Sequence, residues 1–313
     1  MIFDIIKGIN TRLDMQGIRS ESINILQYDN NNGNRHQILL FIFYKNSVFP
    51  KYIARYAKDS KYNYLIKNEY TQYNKLYNKL SSNLKNYLPN PVCIYENSPY
   101  TLCYIEEGLP GKNLSNLLKF NKNPKKIMNY IHKAFIFLIE FQHENKVKNY
   151  DESKIYNMIY MPLEIYTQRF KPNIKQLNAI NYIAKEVNTF CKSSNHSISP
   201  CHGDYWISNI LYNKDDIYII DWTNYVESYL NFWDFMTLTF TTSFKEGKLS
   251  DNFNEMSDYF LKKINIYPDI KTEIKLFYFM TRSIWNEYLF GYSSKWDKKW
   301  NSKFQIELDR YMQ

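Results

Sequence analysis

The sequence predicts an α+β fold in two parts, a strand-rich part up to Glu107 and a mostly helical part from Gly108 onward. In the first part, short runs of aromatic and β-branched residues alternate with turn-forming residues, which is typical of strands. In the second part, apolar residues recur at spacings of three and four, which is typical of amphipathic helices. We therefore expect two domains, residues 1–107 and residues 108–313.

Five strands and one helix are expected in the first part. The strand candidates are SINILQY (22–28), HQILLFIFY (36–44), KYIARYA (51–57), PVCIYE (91–96) and YTLCYIEE (100–107). A turn-forming cluster, residues 29–35, separates the first two strands. Apolar side chains at helical spacing over residues 62–80 predict a helix between the third and fourth strands.

The second part is expected to be helical except for one hairpin. Helices are predicted around Ile127–Phe141 and Ile174–Phe190, and from residue 230 to the end. Between them, residues 209–211 and 217–221 form two short strand candidates joined by the turn-rich residues 213–216.

Composition excludes several classes of protein. Lysine and arginine outnumber the acids to give a net charge of +9, but the lysines are scattered and form no cluster of the kind that binds nucleic acid. The longest apolar run, residues 38–44, is too short to span a bilayer. Four cysteines without CxxC spacing fit reduced thiols in a cytoplasmic protein.

The segment HGDYWISNILYNKDDIYIIDW (202–222) concentrates polar residues at open, turn-like positions. Pairing of the two hairpin strands would bring Asn209 close to Asp221, with Asp204 nearby. An amide and a carboxylate oxygen suit a hard cation such as Mg²⁺. A further carboxylate suits a base that orients a hydroxyl, and together these are the parts needed for phosphoryl transfer.

At these residues the chain resembles the aminoglycoside phosphotransferase and choline kinase-like family of small-molecule kinases. The family pattern HGD-x4-N, a hairpin, and ID before an aromatic residue stands here as 202–204, Asn209 and 220–222. The segments NNGNRHQILLFIF, PKYIARYAKD and YIEEGLPGKNL are similar to its nucleotide loop, third strand and hinge. Asp234 falls where the family has a structural Asp.

The resemblance implies a bilobal protein-kinase-like fold, with an antiparallel-sheet N-lobe that carries one helix and a mostly helical C-lobe. Catalytic roles fall to Asp204 as base and to His202 as a brace of its loop, and Mg²⁺ ligation falls to Asn209 and Asp221. The ATP or GTP donor is assigned to the N-lobe. Its predicted binding residues are Gly33, Asn34, Arg55, Glu69, and the hinge residues Glu106, Glu107 and Gly108.

The chain departs from the family in two places. Arg55 stands where the family usually has lysine, and the nucleotide loop holds a single glycine, Gly33. Strand alternation places Arg55 beside apolar neighbours, so it needs a partner. The resemblance implies that this partner is Glu69, which falls on the following helix where the family has a glutamate that pairs with the lysine. Because lysine is the usual residue here, Arg55→Lys is expected to retain much of the activity.

The sequence leaves the acceptor open among an aminoglycoside, a choline-like amino alcohol and a sugar. Three acidic residues either face an amine or lie at the surface, and four aromatic residues either form a cage for a quaternary ammonium or pack in the core. They are Glu227, Glu287, Asp297, Trp233, Trp285, Tyr288 and Trp296. The alternative function is a catalytically silent nucleotide-binding or scaffold protein, which the two departures favour.

Overall fold

A computed structural model describes most of the chain. The described residues are 11, 23–29, 37–97, 101–120, 124–145, 152–193, 198–245, 248–249, 262, 270–290 and 295–313. The chain divides into two compact units. The first comprises Met1–Phe137 with Trp206–Tyr225, and the second comprises Leu138–Tyr205 with Val226–Gln313. The hairpin segment thus groups with the N-terminal residues, while the predicted division at residue 108 stays a prediction.

The first unit is built on a five-stranded antiparallel sheet, as the sequence predicts. Its strands, in the spatial order β1-β2-β3-β5-β4, are β1 (Ile23–Asp29), β2 (Gln37–Tyr44), β3 (Tyr52–Ala57), β4 (Pro91–Asn97) and β5 (Thr101–Glu107). Helix α1 (Asn63–Lys79) and the single turn α2 (Ser82–Lys85) lie between β3 and β4 in the chain. Every predicted strand and the predicted helix of this part are present.

Burial in the first unit follows the alternation of strand side chains. One face of β3 places Tyr52, Ala54 and Tyr56 in an apolar cluster with residues from β2, β4 and β5. Burying such aromatic and aliphatic side chains stabilises the sheet by roughly 1.5–3 kcal/mol for each large side chain. The other face carries Arg55, which is only 6% exposed and lies on the side of α1.

A smaller three-stranded sheet completes the first unit. It has the order β6-β8-β9, with β6 (Lys112–Asn113), β8 (Ile210–Asn213) and β9 (Asp216–Ile219). Helix α3 (Leu114–Phe120) follows β6, and α4 (Pro124–Glu144) begins in this unit. Asn113 caps α3 by accepting a hydrogen bond from the Ser115 amide at 2.9 Å.

The second unit is mostly helical. Its helices are the end of α4, α5 (Glu152–Phe170), α6 (Ile174–Ser193), α7 (Trp233–Ser243), α8 (Lys271–Arg282), α9 (Trp285–Phe290) and α10 (Lys295–Tyr311). It also holds two antiparallel strand pairs, β7 (Ile198–Cys201) with β10 (Val226–Leu230), and β11 (Phe244–Lys245) with β12 (Lys248–Leu249). All four cysteines of the protein are buried thiols rather than disulfides.

Three features of the second unit were not predicted. Helix α5 contains Pro162, and a proline normally interrupts a helical pattern. Strand β7 is buried at all of its four positions, so it has no alternation of polar and apolar residues to detect. The expectation of helix throughout residues 230–313 is wrong at β11 and β12. Within the described residues no helix has the length and hydropathy needed to cross a bilayer.

The close approach of β5 to the chain before β3 depends on Gly108. Its amide donates a hydrogen bond to the Lys51 carbonyl at 2.9 Å. A methyl group at this position would meet the Pro50 carbonyl oxygen and lie 2.7 Å from the Pro50 carbonyl carbon. Backbone atoms cannot rotate away as a flexible side chain would, so only glycine fits here.

We predict that Gly108→Ala lowers the free energy of unfolding by about 1–3 kcal/mol, because overpacking forces the backbone to shift. Urea unfolding followed by circular dichroism measures this change. Lys112→Ala is the control, since its side chain is exposed and its loss should change the free energy by less than about 0.5 kcal/mol. Equal stabilities of the two variants would contradict the prediction.

Candidate active site

The hairpin β8–β9 sets the positions of Asn209 and Asp221. Its register pairs Ile210 with Ile219, and the Ile220 amide donates a hydrogen bond to the Asn209 carbonyl at 2.9 Å. Asn209 therefore lies across the hairpin from the residue that precedes Asp221. The expected proximity of these two residues follows from strand pairing, as the sequence indicated.

Asp221 stands in a left-handed backbone conformation at the end of the hairpin, with φ 63° and ψ 62°. Aspartate tolerates this region better than most residues because its short polar side chain can hydrogen-bond locally. The adjacent Trp222 fixes the turn, since its Nε1 donates to the Ile219 carbonyl at 3.1 Å and its ring stacks on Tyr73 of α1 at 5.9 Å between centroids. The carboxylate of Asp221 is thereby held beside α1.

Arg55 is the centre of a buried ionic cluster in the first unit. Its Nη1 lies 3.5 Å from Glu69 Oε1 and 3.3 Å from Asp221 Oδ1. Its Nε and Nη2 donate to Glu106 Oε1 at 3.2 and 2.7 Å. The predicted pair with Glu69 is present, but the shortest contact of Arg55 is with Glu106.

Neutral side chains complete this ionic cluster. Gln37 Nε2 donates to Glu69 Oε2 at 3.1 Å, and the Tyr104 hydroxyl donates to Glu106 Oε2 at 2.9 Å. Thr223 Oγ1 lies 2.6 Å from Asp221 Oδ1 and 3.0 Å from Glu69 Oε1. A hydroxyl has one proton, so Thr223 donates to one of these carboxyl groups at a time.

The electrostatics of the cluster keep Arg55 charged. Burial by itself lowers the pKa of Arg55, but the nearby Glu106, Glu69 and Asp221 raise the pKa well above its ordinary value. Burial raises the pKa of Glu69, and Asp221 and Glu106 add to that, while Arg55 opposes it. The three carboxyl groups outnumber the one guanidinium, so the cluster favours the approach of a further cation.

Asp204 and His202 lie in the second unit, on the loop that leaves β7. Asp234 of α7 is 1% exposed and accepts hydrogen bonds from the His202 amide at 2.7 Å and the Gly203 amide at 3.1 Å. Gly203 has φ 77°, a conformation that favours glycine. The loop that presents Asp204 is therefore fixed through its backbone.

His202 acts in this loop as a structural residue. Its side chain is fully buried, and its Nδ1 accepts a hydrogen bond from the Asp204 amide at 3.3 Å. Burial also raises the pKa of Asp234, although His202 and the backbone amides counteract this. The thiol of Cys201 donates to Asp234 Oδ1 at 3.2 Å, and burial with the adjacent Asp234 raises the pKa of this thiol well above its ordinary value.

Asp204 also contacts a residue that the sequence did not single out. Arg282, at the end of α8, donates through Nη2 to Asp204 Oδ1 at 3.0 Å, and its guanidinium lies over the Trp300 ring at 5.8 Å. The two residues are 78 positions apart in the chain, and no local pattern marks Arg282. This ion pair fixes the orientation of the Asp204 carboxylate.

Apart from Arg55 and Glu69, which belong to the ionic cluster, the residues predicted to bind the nucleotide divide into three groups. Gly33 and Asn34 lie outside the described residues. The amides of Glu107 and Gly108, two of the predicted hinge residues, donate to the carbonyls of Asn90 and Lys51 at 2.9 Å each. Glu106 contributes its buried side chain to Arg55, a role that the sequence did not suggest.

The structure settles several alternatives left open for the acceptor. Trp233 and Trp285 are almost fully buried and stack on each other at 4.0 Å between centroids, so both are core residues. Glu287 and Asp297 each accept a hydrogen bond from Arg169 Nη1 at 2.7 Å, and the surface position considered for Asp297 is wrong because it is 1% exposed. Tyr288 packs near Trp285 at 6.0 Å, Glu227 is exposed, and the side chain of Trp296 lies outside the described part.

No family model matches the chain. The protein LicA homolog of Metamycoplasma hominis (strain ATCC 23114 / DSM 25592 / NBRC 14850 / NCTC 10111 / PG21) is 29% identical over 80 residues, which are 26% of this chain. The match spans only 30% of the length of that curated relative.

Solved structures match nearly the whole chain. A choline kinase from Cryptosporidium parvum Iowa II has a TM-score of 0.60 at 16% identity, over 99% of this chain and 95% of that one. A thermostable mutant of aminoglycoside phosphotransferase APH(4)-Ia, with ADP and hygromycin B, has a TM-score of 0.57 at 12% identity, over 96% and 97%. Aminoglycoside 2'-phosphotransferase-IIIa with GDP has a TM-score of 0.58 at 14% identity, over 96% and 97%.

These likenesses confirm the predicted fold class. It is the bilobal protein-kinase-like fold, with an antiparallel-sheet N-terminal part and a helical C-terminal part. They also agree with the resemblance to aminoglycoside phosphotransferases and choline kinase that the HGD-x4-N segment indicated. At such low identities the likeness establishes the fold, and the activity has to be argued from the site.

We predict that Asp234→Ala destabilises the protein by several kcal/mol, because it leaves two buried amides without their acceptor at about 1–3 kcal/mol each. Asp234→Asn should cost less, since its carbonyl oxygen can still accept. Urea unfolding gives both values. The exposed Asp309→Asn is the control, and a loss no larger than that of the control in Asp234→Ala would contradict the prediction.

Proposed function

We propose that the protein is a small-molecule kinase, which transfers a phosphoryl group from ATP or GTP to a hydroxyl group of a small molecule with the help of Mg²⁺. The observation that carries the proposal is the arrangement of the HGD-x4-N and ID segments. Asp204 sits on a loop held through its backbone by Asp234, and Asn209 is hydrogen-bonded across the hairpin to Ile220, the residue before Asp221. The likeness to phosphotransferase structures that contain ADP or GDP supports it.

The residues fit a magnesium ion held jointly with a nucleotide. Mg²⁺ usually takes one or two protein carboxylates, several waters and the phosphates of the substrate, and it seldom has a cage made of protein alone. Asn209 and Asp221 supply one amide and one carboxylate at neighbouring positions of the hairpin. Bound there, the ion would supply charge neutralisation for the transferred phosphoryl group.

The remaining roles follow from position and charge. Asp204 accepts the hydroxyl proton of the acceptor, with Arg282 holding the orientation of its carboxylate. In related kinases a lysine contacts the nucleotide phosphates and pairs with a glutamate. Arg55 carries the corresponding positive charge in this protein. Glu69 is that glutamate here. His202 braces the loop from within the core and takes no part in proton transfer.

The proposed acceptor is an aminoglycoside, a choline-like amino alcohol or a sugar. The candidate contacts named from the sequence do not separate these classes. Trp233 and Trp285 stack in the core, and Glu287 and Asp297 both pair with Arg169. A panel of alcohols, amino alcohols, sugars and aminoglycosides, screened for release of ADP from ATP and of GDP from GTP, tests the activity and identifies the class together.

We predict that Asp204→Asn and Asp221→Asn impair different steps. Asp204→Asn should lower kcat by roughly 10²–10⁴-fold with nucleotide affinity nearly unchanged, because its partner is the acceptor hydroxyl. Asp221→Asn should weaken magnesium-dependent nucleotide binding itself. Steady-state kinetics with calorimetric titration of ATP and GTP separates the two effects.

Asp216→Asn is the matched control, since Asp216 is exposed on the same hairpin and should leave both quantities unchanged. The same pattern of loss in Asp204→Asn and Asp221→Asn would refute the division of roles. Nucleotide binding without turnover on any acceptor would favour the alternative, a catalytically silent nucleotide-binding or scaffold protein.

A further inference from the structure

Glu106 is the principal partner of the buried Arg55. Two of the three guanidinium nitrogens of Arg55, Nε and Nη2, donate to the same oxygen of Glu106 at 3.2 and 2.7 Å. The contacts that Arg55 makes to Glu69 and Asp221 are longer, at 3.5 and 3.3 Å, and both use Nη1. The guanidinium is thus shared, with one edge on Glu106 and one nitrogen on the other two carboxylates.

Strand pairing fixes this arrangement. Arg55 on β3 lies directly opposite Tyr104 on β5, so Arg55, Tyr104 and Glu106 project from the same face of the sheet. Tyr104 is fully buried, and its hydroxyl donates to the second oxygen of Glu106 at 2.9 Å. Glu106 is itself 4% exposed, so both of its oxygens are engaged inside the protein and its carboxylate cannot turn toward water.

A lysine could not satisfy this site. Lysine ends in one ammonium group, whereas arginine has a planar fork that can donate on two sides at once. An ammonium group at position 55 would either approach Glu106 and leave Asp221, or face Asp221 and leave Glu106 as a buried charge without a cation. The residue at 106 therefore decides which cation can work at 55.

We propose that Glu106 is a positioning residue for nucleotide use, which holds one edge of the Arg55 guanidinium so that Nη1 faces Glu69 and Asp221. Arg55 and Glu106 act as a coupled pair that replaces the single lysine of related kinases. The proposal rests on the proposed kinase function and assigns a role to the side chain of Glu106. It also reverses the expectation from the sequence that Arg55→Lys retains much of the activity.

A double-mutant cycle tests the coupling. The wild type, Arg55→Lys, Glu106→Gln and the double variant are titrated separately with ATP and GTP in magnesium buffer, below the lowest melting temperature of the set. Arg55→Lys should weaken binding by about ten- to a hundred-fold, the range expected for losing a hydrogen bond between charged groups. Glu106→Gln, which keeps the shape of the side chain and loses its charge, should weaken nucleotide binding less than Arg55→Lys does.

The decisive value is the affinity of the double variant. We expect it to bind at least about tenfold more tightly than Arg55→Lys, because a neutral amide in place of the Glu106 carboxylate no longer competes for the ammonium group and can still accept from Tyr104. The proposal would be overturned if the losses of nucleotide affinity in the two single variants multiplied in the double variant. It would also be overturned if Arg55→Lys left the affinity unchanged. Tyr104→Phe is a milder variant that removes one hydrogen bond from Glu106, and it should shift affinity in the same direction as Glu106→Gln.

Arg169→Lys is the control for a purely structural effect. Arg169 also joins two carboxylates, Glu287 and Asp297, but it lies in the other unit. The Arg169→Lys variant should have a lower melting temperature and an unchanged nucleotide affinity. If Glu106→Gln and Arg55→Lys behaved like this control, Glu106 would be structural only. If the wild type bound neither nucleotide, the proposed function itself would fail, which is a different result from uncoupled variants.

Discussion

The buried guanidinium of Arg55 is the interaction on which the first unit depends. It brings together the sheet through β3 and β5, the helix α1 through Glu69, and the hairpin through Asp221. Three carboxyl groups around one cation would repel each other without it. Removing one partner of a buried ion pair costs about 3–5 kcal/mol, since it leaves the other charge uncompensated. The position of Asp221 thus depends on the same guanidinium group that joins β3 to β5 through Glu106.

The loop of Asp204 is fixed by a different kind of interaction. Asp234 holds it through backbone amides of His202 and Gly203, which do not depend on the side chains displayed by the loop. Ion pairs set the geometry around Asp221, whereas backbone hydrogen bonds set the path of the loop that carries Asp204 and the Arg282 ion pair orients only its carboxylate. In the proposed function this difference has a chemical reason, because a residue that accepts a proton needs a fixed orientation, while a metal ligand needs an anionic surrounding that a cation can complete.

Local periodicity in the sequence predicted the five-stranded sheet, helix α1 and the hairpin, because each of these buries a regular pattern of side chains. The same method could not find β7, where all four positions are buried, or helix α5, where Pro162 interrupts the pattern.

Strand alternation in the sequence also gave no indication of the role of Glu106. Both faces of β5 are buried from Leu102 to Glu106, so the sequence could not show that Glu106 points toward Arg55. Arg282 was missed for another reason, since its contact with Asp204 joins residues far apart in the chain. By contrast, the proximity of Asn209 and Asp221 could be predicted, because the pairing of the two hairpin strands sets it.

The contact between Arg55 and Glu106 limits which single substitutions this site tolerates. Without Glu106, one edge of the Arg55 guanidinium would have no hydrogen-bond acceptor. With lysine at position 55, the buried carboxylate of Glu106 would have to share one ammonium group with Glu69 and Asp221. Each single change is unfavourable, because a half-satisfied buried charge network is less stable than either complete one. Arg55 and Glu106 stabilise each other, and the position of the Arg55 guanidinium therefore depends on a side chain of the neighbouring strand β5.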